Sequence, residues 1–532
     1  MLDLTPLSYD GGVEHEARSR RLIPVVFLFV AVLLGIGASS VPLFDPDESR
    51  FARTSLEMQR SGDPVVPTFE GRPRLVKPPL FHWVQSSLFS VFGTGGWVAR
   101  LPSLLATLAT LWLTAAVARR RFGEQGAFWA TVCLATMPLV VFLGKIGTLD
   151  ALLALHVWAV VAYDLDERPS PWPYGLLLGL AFLIKGPVGV AVPLLMILAG
   201  RTASGRPVAP SLRGAMAAVA AWALVVLPWG LAFIGRVGGA AFDTLRTEVW
   251  SRVSTGTDHV EPFWYYLPVL FVVCLPWFVP FVSALFRVVR LAVDPASRSA
   301  RYLAAAWLAG VVIFSLSRGK LPNYILPLLP AMAMLCSWEL ARQLEIRKKT
   351  RVPALLVSTL GTFAIGFGIA GAGQPAGPLR LAAWVGAAAY GLATVAAMPF
   401  LLRRRPLRVW QLAAGAQAVF LLVAVVFLPT EISRTRTTAW LLDAVPDLGQ
   451  GRPVAMVDMK VPSLTWYLDR VPEEIDLAHL GEGLDRDAGH LYLFDRRDWE
   501  RVPQQTRARL RLVGEQGKYR VYERVDESSP PG

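Results

Sequence analysis

LIPVVFLFVAVLLGIGASS, residues 22–40, runs straight into Val41-Pro-Leu-Phe-Asp-Pro-Asp-Glu-Ser-Arg50, and this join decides the fold class. The uncharged run is long enough for a helix to cross a hydrocarbon core, and an acidic loop begins where it ends. Arg18, Arg20 and Arg21 precede it, as in a secretion signal. No small-residue cleavage site introduces a soluble protein after it, so it reads as the first span of a series. Further apolar runs follow at 98–119, 125–143, 147–163, 172–184, 187–200, 213–234, 264–286, 302–317, 323–343, 352–372, 380–402 and 408–428. The expectation is an all-α polytopic membrane protein of about 13 transmembrane helices.

Composition agrees with that class. Hydrophobic residues make up 54% of the 532 and charged residues only 17%, where a soluble domain carries about a quarter. The formal charge of +13 would suit a nucleic-acid binder, but the basic residues collect in short turns between apolar runs. With the N-terminus inside, the inner turns hold Arg119-Arg120-Arg121, then Arg201, Arg206 and Arg213, then Arg287, Arg290, Arg298 and Arg301. Arg342, Arg347, Lys348, Lys349 and Arg351 follow, then Arg403-Arg404-Arg405 and Arg408. Only 164–171, with Arg168 against three acids, votes weakly. The excess charge is thus an orientation signal, and no nucleic-acid partner is expected. Cys133, Cys274 and Cys336 all lie within apolar runs, with neither a disulfide framework nor metal-ligand spacing.

An odd number of spans puts the C-terminus outside, so the chain divides at 429. Residues 1–429 form the membrane domain and 430–532 a small α/β extracytoplasmic domain. In the latter Val454–Val457, Leu491–Phe494 and Tyr519–Tyr522 read as strands and Trp499–Leu512 as a helix. The first outer loop, 41–97, is too long for a connector. It holds Asp45, Asp47, Glu48 and Arg50, a helical stretch 49–60 stopped by Ser61-Gly62-Asp63, and Lys77-Pro78-Pro79. Other outer segments hold Lys145 and Asp150, Lys185-Gly186-Pro187, and Arg318-Gly319-Lys320 with Asn323 and Tyr324. The loop 235–263 adds Arg246, Glu248, Arg252, Asp258, His259 and Glu261.

Taken singly these residues have ordinary explanations. A lysine at a span end is commonly an interface anchor, an aspartate at a helix start a cap, and a loop histidine simply a loop residue. Together they place carboxylates and several cations on one membrane face, where ionisable groups are costly unless paired or used. The set suits transfer from a phosphate-linked donor whose tail lies in the bilayer. A carboxylate takes a proton from an attacking hydroxyl, and Lys and Arg hold the departing phosphate. Asp47, Glu48 and Asp150 are the catalytic candidates; Lys77, Lys185, Arg50, Arg252 and Lys320 are the cations available to hold a phosphate.

The segment Asp47-Glu48-Ser49-Arg50-Phe51-Ala52, with Glu57-Met58, Ser61-Gly62-Asp63 and Lys77-Pro78-Pro79, resembles the first outer loop of the protein mannosyltransferase-related GT-C glycosyltransferases. The nearest branch is that of the bacterial lipid A 4-amino-4-deoxy-L-arabinose transferases. The likeness continues through Thr148-Leu149-Asp150, Lys185-Gly186-Pro187, His259 to Tyr266, Phe314 to Ser317, Gly319 to Pro322, Tyr324 to Pro327, and Pro462-Ser463-Leu464 with Tyr467-Leu468 and Arg470. It implies an inverting transferase that uses a polyprenyl-phosphate sugar on the outer face, with a glycolipid or polysaccharide acceptor and membrane lipids around it. Carried over, Asp47 is the catalytic carboxylate and Asp150 a second acidic site residue, while Lys77, Arg252, Lys320 and Tyr324 contact the donor phosphate. His259 matches a position near a divalent metal (zinc) in that branch. The chain departs from the pattern at Val76, where the branch favours an acid, and at Arg53, where relatives often have Glu. No cofactor is required on this reading.

Three other functions fit less well. A protein O-mannosyltransferase needs a peptide groove. A transporter or flippase keeps charges near mid-membrane and often shows internal repeats. A C-terminal binding module needs far fewer spans as an anchor.

Overall fold

The computed structural model describes residues 10–166, 169–240, 260–291, 297–346, 352–374, 377–486 and 489–525. The first helix, α1 (Asp10–Gly35), leads into the acidic loop and α2 (Asp47–Ser61). Gly62, at φ 66°, ends α2 by donating its N–H to Met58 O, the left-handed termination that glycine adopts without a Cβ penalty. A short hairpin, β1 (Thr68–Phe69) with β2 (Arg72–Pro73), and α3 (Leu80–Phe92) complete the segment between the first two long helices. Nine of the 15 residues of α2 are buried, because it is covered on one side by α3 and on another by the C-terminal region.

The membrane helices follow: α4 (Gly96–Ala135), α5 (Pro138–Gly144), α6 (Leu149–Asp164), α7 (Pro171–Lys185), α8 (Pro187–Ser204) and α9 (Leu212–Val237). After the undescribed 241–259 come α10 (Tyr266–Val273), α11 (Phe278–Arg290), α12 (Arg298–Leu316), a 3₁₀ turn Pro322–Leu328, α13 (Leu329–Ile346), α14 (Val352–Gly373), α15 (Pro378–Leu402) and α16 (Pro406–Arg436). Among the described residues eight helices are long and apolar enough to cross a membrane, or nine if α10 and α11 form one bent span. The expected runs 98–119 and 125–143 share α4 with α5. Gly123 (φ 72°) leaves the helical region there and breaks α4 just beyond Arg119-Arg120-Arg121. The run at 264–286 is not one straight span: α10 and α11 meet at 119° across 274–277, where Pro276 removes a backbone donor from the helical ladder.

Beyond Arg436 the chain forms α17 (Ala439–Ala444) and a five-stranded sheet of order β4-β3-β5-β7-β6. The strands are β3 (Val454–Val457), β4 (Glu473–Ile475), β5 (Leu491–Asp495), β6 (Leu510–Gln516) and β7 (Tyr519–Arg524). β3 runs parallel to β4 and β5, while β7 is antiparallel to β5 and β6. Alternation along β3 sends Val454 and Met456 into one apolar layer and Ala455 and Val457 into the other, so both faces are covered. The expected helix over 499–512 is absent. Pro503 interrupts it, only Trp499 (the end of a turn begun at Arg496) and Gln504–Arg507 are helical, and Leu510 onward pairs with β7. One helix of this region, α18 (Pro462–Leu468), leaves the sheet and packs on α2.

Candidate active site

Thr148, extended, precedes α6 as its N-cap residue and leaves Asp150 in the first turn of that helix. Lys185, the last residue of α7, meets Asp150 Oδ1 at 3.1 Å, and Asn323 Nδ2 donates to Asp150 Oδ2 at 2.9 Å. Thr148 Oγ1 adds a longer bond of 3.3 Å. The Lys185 ammonium lies 4.8 Å from the centre of the Tyr324 ring, a cation–π distance. Asp150, Lys185, Asn323 and Tyr324, together with Lys77, are polar lining residues of a cavity of about 640 Å³. Its remaining wall is apolar, drawn from α6 to α9 and α12: Leu153, Val157, Val192, Val226, Phe233 and Ile313 are representative. Lysines lining an otherwise apolar chamber between membrane helices suit a ligand with an anionic head and a hydrocarbon tail.

The other sequence candidates surround this chamber without all entering it. Asp47 is exposed at the first turn of α2, and Arg50 Nη1 is 3.7 Å from its Oδ1. Neither lines the cavity. Glu48 is fully buried and saturated. Arg100 grips it in a fork (2.7 and 2.9 Å), and the N–H groups of Phe44 (2.9 Å) and Gly147 (2.8 Å) donate to it. A carboxylate so engaged is a strut between the start of α2 and the turn leading to Asp150. Sequence expects a catalytic part for it, and in the structure both its oxygens are engaged by these donors. Lys320 is buried and donates to Glu261 O at 2.7 Å, and burial lowers its pKa. An isolated bridge, Val260 with Gly319, holds that strand of chain in place. Arg252 and His259 lie outside the described residues, as do Arg246, Glu248 and Asp258.

Among the described residues no three of His, Cys, Asp and Glu converge in a way that could hold a metal ion. Val76 lines the cavity as a hydrocarbon side chain and offers no oxygen beside Lys77. The described residues alone do not make a zinc site, His259 lies outside them, and no step below runs through a metal.

Sequence reasoning passed over Arg100, and it named Asp45, Asn323 and Ser463 without giving any of them a role. Arg100 was detectable in principle as a lone charge opening an apolar run. Ser463 was visible only as part of a resembling motif, since its partner lies 418 residues away. Asp45 accepts from Ser463 N (2.7 Å), Ser463 Oγ and Ser49 Oγ (2.6 Å). Burial raises its pKa, and the hydrogen bonds from Ser463 and Ser49 oppose that rise.

The comparisons with known proteins agree on one lineage. The chain is 30% identical over 463 residues to the undecaprenyl phosphate-α-4-amino-4-deoxy-L-arabinose arabinosyl transferase of Edwardsiella ictaluri (strain 93-146), covering 80% of this chain and 81% of that one. This chain belongs to that transferase family. The corresponding Yersinia enterocolitica protein is 27% identical over 506 residues, with 89% of each chain covered. Residues 76–230 match the family model for dolichyl-phosphate-mannose-protein mannosyltransferase. A crystal structure of ArnT from Cupriavidus metallidurans bound to undecaprenyl phosphate superposes with a TM-score of 0.78 at 22% identity, covering 96% of this chain and 99% of that one. The fold is accordingly the GT-C fold, and the chain is a multi-pass membrane glycosyltransferase.

Proposed function

We propose that this transferase moves a sugar from a polyprenyl-phosphate donor to an envelope glycolipid or polysaccharide at the outer, periplasmic face of the plasma membrane, with inversion. The observation that carries the proposal is the cavity: apolar along the helices, with Lys77, Lys185, Asn323 and Tyr324 among its polar lining residues. The polyprenyl tail lies along the apolar wall, and the lysines receive the phosphate. An acceptor oxygen attacks the anomeric carbon from the face opposite the phosphate. The bond from that carbon to the phosphate oxygen breaks, and polyprenyl phosphate leaves with the electron pair. Lys77 and Lys185 stabilise the charge that grows on it. The lysines act where charge develops, beside a largely apolar wall, so they are worth more there than at an open surface.

Asp47 is the reacting carboxylate in this proposal. Its exposure leaves it accessible to an acceptor, unlike Glu48 and Asp150, which are held by Arg100 and Lys185. Toward a hydroxyl acceptor it serves as general base; toward a phosphate acceptor, already ionised near neutral pH, it orients the nucleophile. The names of the relatives make aminoarabinose the first sugar to test. Asp47→Asn in a reconstituted membrane, given undecaprenyl-phosphate aminoarabinose and lipid A, loses turnover by roughly 10²–10⁴-fold for a hydroxyl acceptor, read by mass spectrometry of the product. Unimpaired turnover in the folded variant rejects the assignment.

A further inference from the structure

Asp47 has little of its own to hold it. Among the described residues its exposed side chain meets the Arg50 guanidinium alone, at 3.7 Å, a kind of surface pair worth at most about 1 kcal/mol. Two residues earlier the chain is fixed firmly, and the fixing comes from the far end of the sequence. The Asp45 N–H donates to Arg436 O at 2.7 Å. The Asp45 carboxylate takes the N–H and the hydroxyl of Ser463, together with the hydroxyl of Ser49 in the first turn of α2. Leu43 N–H donates to the Tyr467 hydroxyl at 2.7 Å. Ser463 is fully buried and is itself oriented, because Thr438 N–H donates to its Oγ at 3.0 Å. At the other end of α2, Asp469 accepts from Arg53 (2.8 Å) and Arg60 (2.6 and 2.7 Å).

We infer that Asp45 and Ser463 are positioning residues for Asp47, so that the C-terminal domain completes the catalytic site through α18. The inference rests on the reading of Asp47 as the reacting carboxylate. The Asp45–Ser463 bonds fix the backbone on which Asp47 stands, and Ser49 links the same carboxylate to the helix that carries it onward. Displacement of a catalytic group by about 1 Å can cost about 10²-fold in rate without touching the donor. The donor cavity is built from other elements, α6 to α9 and α12, and has no lining residue from 43–49 or 436–469.

The full-length enzyme in nanodiscs, with undecaprenyl-phosphate aminoarabinose and lipid A, gives kcat and donor KM, and undecaprenyl phosphate binding is measured separately. Ser463→Ala is expected to lower kcat by on the order of tenfold and Asp45→Ala by on the order of 10²-fold, since the first keeps the Ser463 N–H bond. Donor KM and undecaprenyl phosphate binding stay within about twofold of wild type, because neither residue meets the phosphate or the tail. Combining the two substitutions adds little to Asp45→Ala, as expected for partners in one network. Asp45→Asn retains an acceptor for the Ser463 N–H, recovers part of kcat, and carries the comparison if Asp45→Ala does not fold. Wild-type kcat in Ser463→Ala, or kcat and undecaprenyl phosphate binding falling together, overturns the inference. Asp47→Asn measured in parallel separates the two readings. An inactive Asp47→Asn with a fully active Ser463→Ala overturns the positioning role alone, and an active Asp47→Asn overturns both.

Discussion

His82 illustrates how a residue's neighbours, more than its type, determine its part. It stands in α3, fully buried, with Nδ1 2.8 Å from Ser55 Oγ and its ring stacked 5.5 Å from Phe51. Burial lowers its pKa to about 3, and the nearby Arg74 charge adds to the effect. An unfolded histidine titrates near 6.5, so between those values the unfolded chain binds a proton that the folded chain refuses. The stability His82 contributes is therefore complete above about pH 6.5 and is lost as pH falls toward 3, at about 1.4 kcal/mol per pH unit. Between pH 7 and pH 5 the wild type should lose about 2 kcal/mol from this group, whereas His82→Gln should lose none of it. Parallel pH profiles of unfolding for the two proteins would reject the argument. Glu48 makes the same point from the other direction. Sequence could place it beside Asp47, but only the fold brings Arg100, Phe44 N–H and Gly147 N–H onto its oxygens.

Among elements, the membrane helices and three of the five strands of the C-terminal sheet were legible because each is written in a local period or run. Val454–Val457, Leu491–Phe494 and Tyr519–Tyr522 all fall on strands. The stop after α2 was legible too, since Gly62 adopts the left-handed conformation that its position requires. What stayed hidden was pairing between distant elements, and with it the bend between α10 and α11. Helix α9 depends on such a pairing. It is largely open on its outer side, and its Ala218, Ala221 and Val225 lie against Gly175 and Gly179 of α7, a small-residue seam spaced four apart. A Cβ at Gly175 would run into Ala218 O, and one at Gly179 would come within 2.8 Å of Val225 Cβ. Since α9 supplies Val226, Trp229 and Phe233 to the cavity wall, displacing it distorts the tail site. Gly175→Val should cost about 1–3 kcal/mol of stability and weaken undecaprenyl phosphate binding. Gly235→Ala, with nothing within 4 Å of its Cβ, should do neither. A Gly175→Val protein with wild-type melting and lipid binding would show that the seam is dispensable.

For the molecule as a whole, the bonds that tie the loop after α1 to the C-terminal region also constrain how the chain threads the membrane. Asp45, Arg53 and Arg60 follow the first helix, and Ser463 and Asp469 follow the last, yet they are in contact. Both ends of the helical series therefore open on one side. The chain must cross an even number of times between them, and an odd number overall if α1 itself spans. The thirteen apolar runs of the sequence satisfy that parity. The one weak vote in the charge distribution also acquires a cause. Asp164, fully buried, is held by Arg201 at 2.9 Å and approached by Arg206 at 3.8 Å, and Asp166 lies 3.6 Å from Arg121. Those acids are thus neutralised by arginines of neighbouring turns, and the face they share keeps its positive excess. Labelling of single cysteines checks the whole arrangement, because Cys133, Cys274 and Cys336 are all buried and stay silent. With an impermeant maleimide on intact spheroplasts, Arg72→Cys and Glu482→Cys should react from outside, and Arg403→Cys only after permeabilisation. Reaction of Arg72→Cys and Glu482→Cys from opposite sides would contradict the contacts themselves. Reaction of both only after permeabilisation would keep the contacts and invert the protein, moving Asp47 and the transfer reaction to the cytoplasmic face.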